Sequence, residues 1–238
     1  MTKCVIFDFQ DTLAQLIVDW KLVLSELSTL YSKYEELDEI VARHKTSPTN
    51  MLIETYDKML EVFPKNKADQ IYREASEIME KHELDGVKKA NLMPHVEEVL
   101  HYLKNEGLKI GVITCNSNKA VTEVMKNFRI LRYVDALFSR ESPGKLKPHP
   151  DHILACLRAF DSKPEEAILV GDGKRDMEAA KKVGIYAVGV LFKWDELTLQ
   201  RYTQKELDEW TEDMKKEADI VINDLLELVE IVRERFGG

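Results

Sequence analysis

Six short runs of strand-forming apolar residues recur along the chain, at residues 4–9, 108–114, 134–139, 167–171, 186–192 and 219–223. Where valine and isoleucine follow one another in these runs without polar alternation, they fit strands buried on both faces. Amphipathic helical stretches separate them. Strands of this kind alternating with helices define a parallel sheet covered by helices on both sides. The fold expected is therefore α/β, a Rossmann-like parallel sheet.

Between the first and second runs the pattern changes. Trp20, Val23, Leu24, Leu27, Leu30, Tyr31 and Tyr34 recur at spacings of three and four. Leu52, Tyr56, Met59, Leu60 and Phe63 do the same, as do Ala68, Ile71, Tyr72, Ala75, Ile78 and Met79. Each set makes one apolar helix face that packs into a core. Ser47-Pro48 and Pro64 mark the breaks, so three helices are expected in a small bundle. The segment is too long to be an ordinary loop. Residues 1–14 and 90–238 then form the α/β core, and residues 15–89 an inserted helical domain.

A helix over 94–105, ended by Gly107, returns the chain to the sheet. Met177, Ala179, Ala180 and Val183 face inward on a later helix that stops at Gly184. The charged stretch 193–217 reads as a solvated helix with two aromatic anchors, Trp194 and Trp210.

Composition excludes several classes. With 32% charged residues and no apolar run near the roughly 20 that a membrane span needs, no membrane partner is expected. The formal net charge of −9 argues against nucleic acid, whose phosphates attract basic faces. The N-terminus enters an apolar strand at once, so no signal peptide is expected. Cys4, Cys115 and Cys156 have neither metal nor disulfide spacing, which points to a reducing cytoplasm.

Chemistry-bearing residues collect at four places. Asp8-Phe9-Gln10-Asp11-Thr12 follows the first run directly, at a strand's carboxyl end, the edge where open α/β sheets bind ligands. A carboxylate there is costly unless a metal or a nucleophilic role requires it. Thr114 ends the second run, where its hydroxyl can bond an oxyanion. Lys147 is held on a stiff loop by Pro148, with Asp151 reading as a helix N-cap; Lys145 is the more solvated rival. Gly171-Asp172-Gly173-Lys174-Arg175-Asp176 follows the fourth run, and two carboxylates four residues apart suit a hard cation such as magnesium. Each motif alone also fits an ordinary strand-end turn. Their order in one parallel sheet, which sets all these ends on one edge, is the stronger signal.

With these motifs in place, the whole chain resembles the haloacid dehalogenase superfamily, in its phosphoglycolate phosphatase-like branch with a helical cap. Asp8 to Thr12 resembles the first motif, Thr114 the second, Lys147-Pro148 the third, and Gly171-Asp172 with Asp176 the fourth. The stretch from Ala90 to Val96 resembles the return from the cap. The resemblance implies a hydrolase acting on a small phosphoester. Asp8 would be the nucleophile. Magnesium would bridge Asp8, the backbone carbonyl of Gln10 and Asp172, with Asp176 supporting a bound water or the outer shell. Thr114, Asn116 and Lys147 would bind phosphoryl oxygens. Arg43, His44 and Lys45, with Thr46 and Ser47, lie between two cap helices; they would face the substrate, or form an ordinary polar loop. The oligomeric state stays open.

One position departs from the family pattern. Its phosphatases carry an acid–base Asp two residues after the nucleophile, and here that residue is Gln10. Glutamine cannot exchange the catalytic proton, and losing a positioned acid–base costs about 10²–10⁴ in rate. Asp11 points differently from its neighbour and cannot simply take over. Gln10 is compatible with a slowed natural phosphatase, with a different chemistry, or with an engineered change. Dehalogenase chemistry would not need the Asp172–Asp176 pair. Phosphonate hydrolysis would need a cap lysine such as Lys45. A non-catalytic binding or regulatory role also remains open.

Overall fold

The structure, a computed structural model, describes residues 2–192 and 204–237. Six parallel strands form the central sheet: β1 (Cys4–Phe7), β4 (Lys109–Ile113), β5 (Ala136–Phe138), β6 (Ala167–Gly171), β7 (Tyr186–Val190) and β8 (Ile220–Ile222). Their spatial order is β5-β4-β1-β6-β7-β8. This is the α/β parallel-sheet fold expected, with β1 flanked by β4 and β6 in the middle.

The pleat explains why the central strands β1 and β6 are apolar throughout. Val5 and Phe7 point into one core with Ile110, Val112, Ile168 and Val170. Cys4 and Ile6 point the other way, into a second core with Ala167 and Leu169. Successive side chains of a strand face opposite sides, so two covered faces demand apolar residues at both parities. The helices α5 (Val96–Asn105) and α6 (Asn118–Asn127) supply the first core, and α7 (Asp151–Phe160) and α8 (Lys174–Val183) the second. Gly184 ends α8 in a left-handed conformation, with φ of 75°. At α7, Asp151 is the first helical residue, and Pro150 takes the cap position in place of the expected Asp151. The Asp151 carboxylate accepts instead from the Lys145 backbone N–H at 2.9 Å.

A second, two-stranded sheet lies outside the main one. β2 (Ala14–Gln15) pairs antiparallel with β3 (Asn91–Leu92). Between them run α1 (Trp20–Tyr31), α2 (Asp38–Arg43), α3 (Pro48–Val62) and α4 (Lys65–Val87). The insertion thus has four helices where three are expected. The extra one, α2, spans six residues and buries none of them, so it shows no apolar stripe. Ser47 caps α3 by accepting from the Asn50 N–H at 3.3 Å, and Pro48 is its first residue. α4 runs to Val87, two turns past the apolar stripe that ends at Met79, because its last turns bury His82 and Glu83.

Among the described residues two further helices follow, α9 (Gln204–Glu217) and α10 (Glu227–Phe236). The expected solvated helix is docked through α9, where Leu207 and Met214 are buried. Trp194 falls outside the described residues. No helix among the described residues is long and apolar enough to cross a membrane.

Candidate active site

Because the strands are parallel, the residues that follow β1, β4 and β6 lie along one edge of the sheet. Asp8, Thr114 and Asp172 come from those ends. Asp8 is continued from the sheet by its N–H, which donates to the Val170 carbonyl at 2.8 Å. The chain then turns sharply: the N–H groups of Leu13 and Ala14 converge on the Phe9 carbonyl at 2.9 and 3.0 Å, and Asp11 takes a positive φ of 59°.

Lys147 joins the carboxylates. Its Nζ donates to Asp8 Oδ1 and to Asp176 Oδ1, each at 2.5 Å, and to the Ile113 carbonyl at 3.3 Å. Asp8, Lys147 and Asp176 are all buried. The peptide between Lys147 and Pro148 is cis. Asp176 is further held by the Gly173 N–H at 3.1 Å. A methyl group on Gly171 would meet Asp176 Cγ at 2.5 Å, so the absence of a side chain there makes room for the carboxylate. Asp172 is set by two groups: Thr12 Oγ1 donates to its Oδ1 at 3.5 Å, and Trp210 Nε1 donates to its carbonyl at 2.7 Å.

Carboxylate oxygens of Asp8, Asp172 and Asp176 lie within 4.8 Å of one another. Three carboxylates so close repel, and Lys147 bonds only two of them. Burial, with Asp8, Asp11 and Asp176 nearby, holds the Asp172 carboxyl well above its usual range. Burial likewise lifts Asp8, against the pull of Lys147. Burial alone would favour a neutral Lys147, but Asp176 and Asp8 outweigh it and raise its amine above the ordinary value. A set of hard oxygen donors with unbalanced negative charge fits a divalent cation such as magnesium.

Gln10 follows Asp8 by two residues and bridges to Ala14. Its Oε1 accepts from the Leu16 N–H at 3.3 Å. A backbone N–H can only donate, so this bond fixes which end of the amide carries oxygen. The Nε2 end is buried without a hydrogen-bond partner among the described residues.

Thr114 and Asn116 form a closed pair. Thr114 Oγ1 donates to Asn116 Oδ1 at 3.0 Å and accepts from the Asn116 N–H at 3.1 Å. Arg43, His44 and Lys45 belong to the insertion, where α2 leads into α3. Arg43 ends α2 and bonds Glu39 at 3.2 Å and Glu54 at 3.1 Å. His44 Nε2 lies 2.9 Å from Glu54, and Lys45 is exposed. The structure thus brings together Asp8, Lys147, Asp172 and Asp176, with Gln10 and Thr114 on the adjoining strand-end segments, and ties Arg43 and His44 to α3. Lys145, the rival of Lys147, is exposed and paired with Asp57 at 2.9 Å.

Four residues at this edge are missed by sequence reasoning: Trp210, Arg175, Glu83 and Arg140. Arg175 Nη1 donates to Asn50 Oδ1 at 2.8 Å, linking the Asp172 turn to α3. Arg140 follows Ser139, beyond the end of β5, so counting every strand end would have flagged it. Glu83 carries no such signal, since a glutamate in a helix ordinarily faces water.

A model of the haloacid dehalogenase-like hydrolases matches residues 5–190, and the chain belongs to that family. A protein of Caldanaerobacter subterraneus subsp. tengcongensis, named as the pyrophosphatase PpaX, is 36% identical over 119 residues, 50% of this chain and 53% of that one. The phosphoglycolate phosphatase of Escherichia coli K12 is 29% identical over 104 residues, 44% of this chain and 41% of the other. The matches span about half the length of these relatives or less. Among solved structures, a HAD phosphatase from Thermococcus onnurineus superposes with a TM-score of 0.57 at 22% identity, covering 97% of this chain and 98% of its own. A hydrolase from Pseudomonas syringae gives 0.58 at 20% identity, over 98% and 99%. At these identities the likeness is one of fold.

Proposed function

We propose that this protein is a magnesium-dependent phosphatase-type hydrolase of a small phosphorylated metabolite, working through a phosphate ester on Asp8. The observation that carries the reading is the buried Asp8 carboxylate, bonded to Lys147 and within 4.8 Å of the Asp172 and Asp176 oxygens. An ionised carboxylate at that depth, at a sheet's ligand edge, is placed for attack on phosphorus. Both named curated relatives act, by their names, on phosphate compounds, and this supports the reading.

Magnesium would be held by Asp8, Asp172 and the Gln10 backbone carbonyl, with Asp176 in the outer shell, and would supply positive charge to the phosphoryl oxygens. Lys147 would hold Asp8 in place and balance the same oxygens. Thr114 would turn its one hydroxyl proton from Asn116 Oδ1 to these oxygens, and Asn116 would offer a hydrogen of its Nδ2. Phosphoryl transfer depends mainly on such positioning and charge stabilisation. Residues 15–89 would act as a cap that covers the substrate, with Arg43, His44 and Lys45 near its specificity loop. The unpaired cysteines accord with a reducing cytoplasm.

Gln10 shapes the substrate range. Its amide can donate a hydrogen bond to the departing oxygen but cannot protonate it. Leaving groups that depart as stable anions, such as nitrophenolate, would suffer least in the first step. The carboxylate cluster disfavours the dehalogenase alternative, which needs no metal.

The test is release of nitrophenolate from para-nitrophenyl phosphate with magnesium and with chelator. Release should require magnesium, stop on chelation and return when the metal is restored. Magnesium binding without release would instead support a non-catalytic role. A second prediction concerns Gly171→Ala. Its new methyl would displace the Asp176 carboxylate from Lys147, and misplacement on the order of 1 Å costs roughly 10² in rate. Turnover should fall by about that factor, with a higher magnesium requirement in a titration; parental values for both would separate Asp176 from the reaction.

A further inference from the structure

Glu83 lies near the end of α4 with its side chain fully buried, and so does the side chain of its partner Arg140. A carboxylate at that depth persists only when charge and hydrogen bonds compensate its lost hydration. Here they do. Oε1 accepts from Arg140 Nη1 at 2.9 Å and from Asn116 Nδ2 at 3.1 Å. Oε2 accepts from Arg140 Nη2 at 2.9 Å and from the Ser117 N–H at 3.0 Å. Ser117 caps α6, so the carboxylate also meets the positive end of that helix.

Arg140 holds the same loop from its own side. Its Nη1 donates to the Cys115 carbonyl at 3.1 Å, and its backbone N–H donates to the Asn116 carbonyl at 3.0 Å. The ion pair therefore grips Cys115, Asn116 and Ser117 in succession, the residues that follow Thr114. The grip has a chemical direction. Glu83 accepts, so it binds the Nδ2 end of Asn116 and leaves Oδ1 turned to Thr114. Thr114 Oγ1 occupies that oxygen at 3.0 Å. An unbroken hydrogen-bonded path thus runs from Arg140 through Glu83 and Asn116 to the Thr114 hydroxyl.

We propose that Glu83 and Arg140 are positioning residues, which orient Asn116 and Thr114 for the phosphoryl oxygens from the inserted helix α4. This rests on the reading of Thr114 and Asn116 as phosphoryl ligands. Neither Glu83 nor Arg140 contacts the carboxylate cluster through the bonds described, so the pair acts on the phosphate side of the site and leaves the metal side alone.

The experiment compares the parent with two variants, using para-nitrophenyl phosphate turnover and inhibition by inorganic phosphate. Glu83→Asp keeps the charge but is one methylene shorter, and cannot keep all four contacts. The double variant Glu83→Leu with Arg140→Met removes both charges at similar volume, a replacement that buried ion pairs often tolerate. Thermal unfolding establishes which variants fold. Each folded variant should need roughly tenfold more phosphate for half inhibition and lose kcat/KM by a similar factor, the effect of one lost positioned hydrogen bond. Its half-saturating magnesium concentration should stay parental, which a merely loosened fold would not allow. A folded variant with parental phosphate inhibition overturns the proposal, and so does failure of both variants to fold, which marks the pair as structural. A parent that releases nothing and binds no phosphate overturns the phosphatase reading and this proposal together, whereas an active parent with unaffected variants overturns this proposal alone.

Discussion

Asp8→Asn is expected to lose turnover by a factor on the order of 10⁶, the scale seen when a covalent nucleophile is removed. The amide has nearly the same shape and can still accept from Lys147 through its oxygen, so the fold should survive. Its lone pairs no longer carry the charge needed to form an ester with phosphorus. It also removes one of the three carboxylates whose oxygens lie within 4.8 Å of one another. Magnesium affinity should therefore fall as well, although Asp172 and Asp176 remain. The measurement is steady-state release of inorganic phosphate at saturating magnesium, with circular dichroism to confirm the fold. Activity within tenfold of the parent would remove Asp8 from the chemistry.

Gln10→Asp should act in the opposite direction. A positioned acid–base contributes about 10²–10⁴ in rate. The Gln10 Nε2 end is buried without a hydrogen-bond partner among the described residues. Shortening the side chain gives up the bond between Oε1 and the Leu16 N–H, a loss of about 1 kcal/mol in stability. The gain should depend on the leaving group. Alkyl phosphates, whose alkoxide needs a proton, should gain close to the full factor, and nitrophenyl phosphate much less. Plotting kcat/KM against leaving-group pKa for aryl and alkyl phosphates should give a steep line for the parent and a shallower one for the variant. Parallel lines would show that Gln10 does not occupy the proton-transfer position.

The contrast between these residues and Glu83 explains what a single chain lets one read. Asp8 and Asp172 are legible because each breaks a local rule: a charge follows a run that is buried on both faces, and Asp176 is legible only through its spacing from Asp172. Lys147 is legible through Pro148 beside it. The sheet is legible because β1, β4, β6 and β7 are apolar at both parities. Where local rules are obeyed, reading stops. Glu83 sits in a helix among Lys, His and Asp, and only the three-dimensional approach of Arg140 makes it a buried ion. α2 buries no residue, so no stripe marks it. β2 and β3 have two residues each, too few for any periodicity, and their pairing joins positions almost eighty residues apart. Trp210 reads as an aromatic anchor, but its indole N–H fixes the Asp172 carbonyl.

That short ribbon has a consequence for how such a chain can diversify. Ala14 faces Leu92 and Gln15 faces Asn91, so the chain leaves the sheet and comes back through one hydrogen-bonded gate. Whatever lies beyond the gate can be exchanged, lengthened or shortened with β1 and β4 undisturbed, as cargo is changed on an unaltered chassis. The exchange meets surface contacts such as Arg175 with Asn50 and Lys145 with Asp57, but its strictest condition is a buried charge. Arg140 belongs to the chassis and its counter-charge Glu83 to the cargo. A transplanted insertion must bring its own carboxylate to that position, or the recipient must give up the arginine.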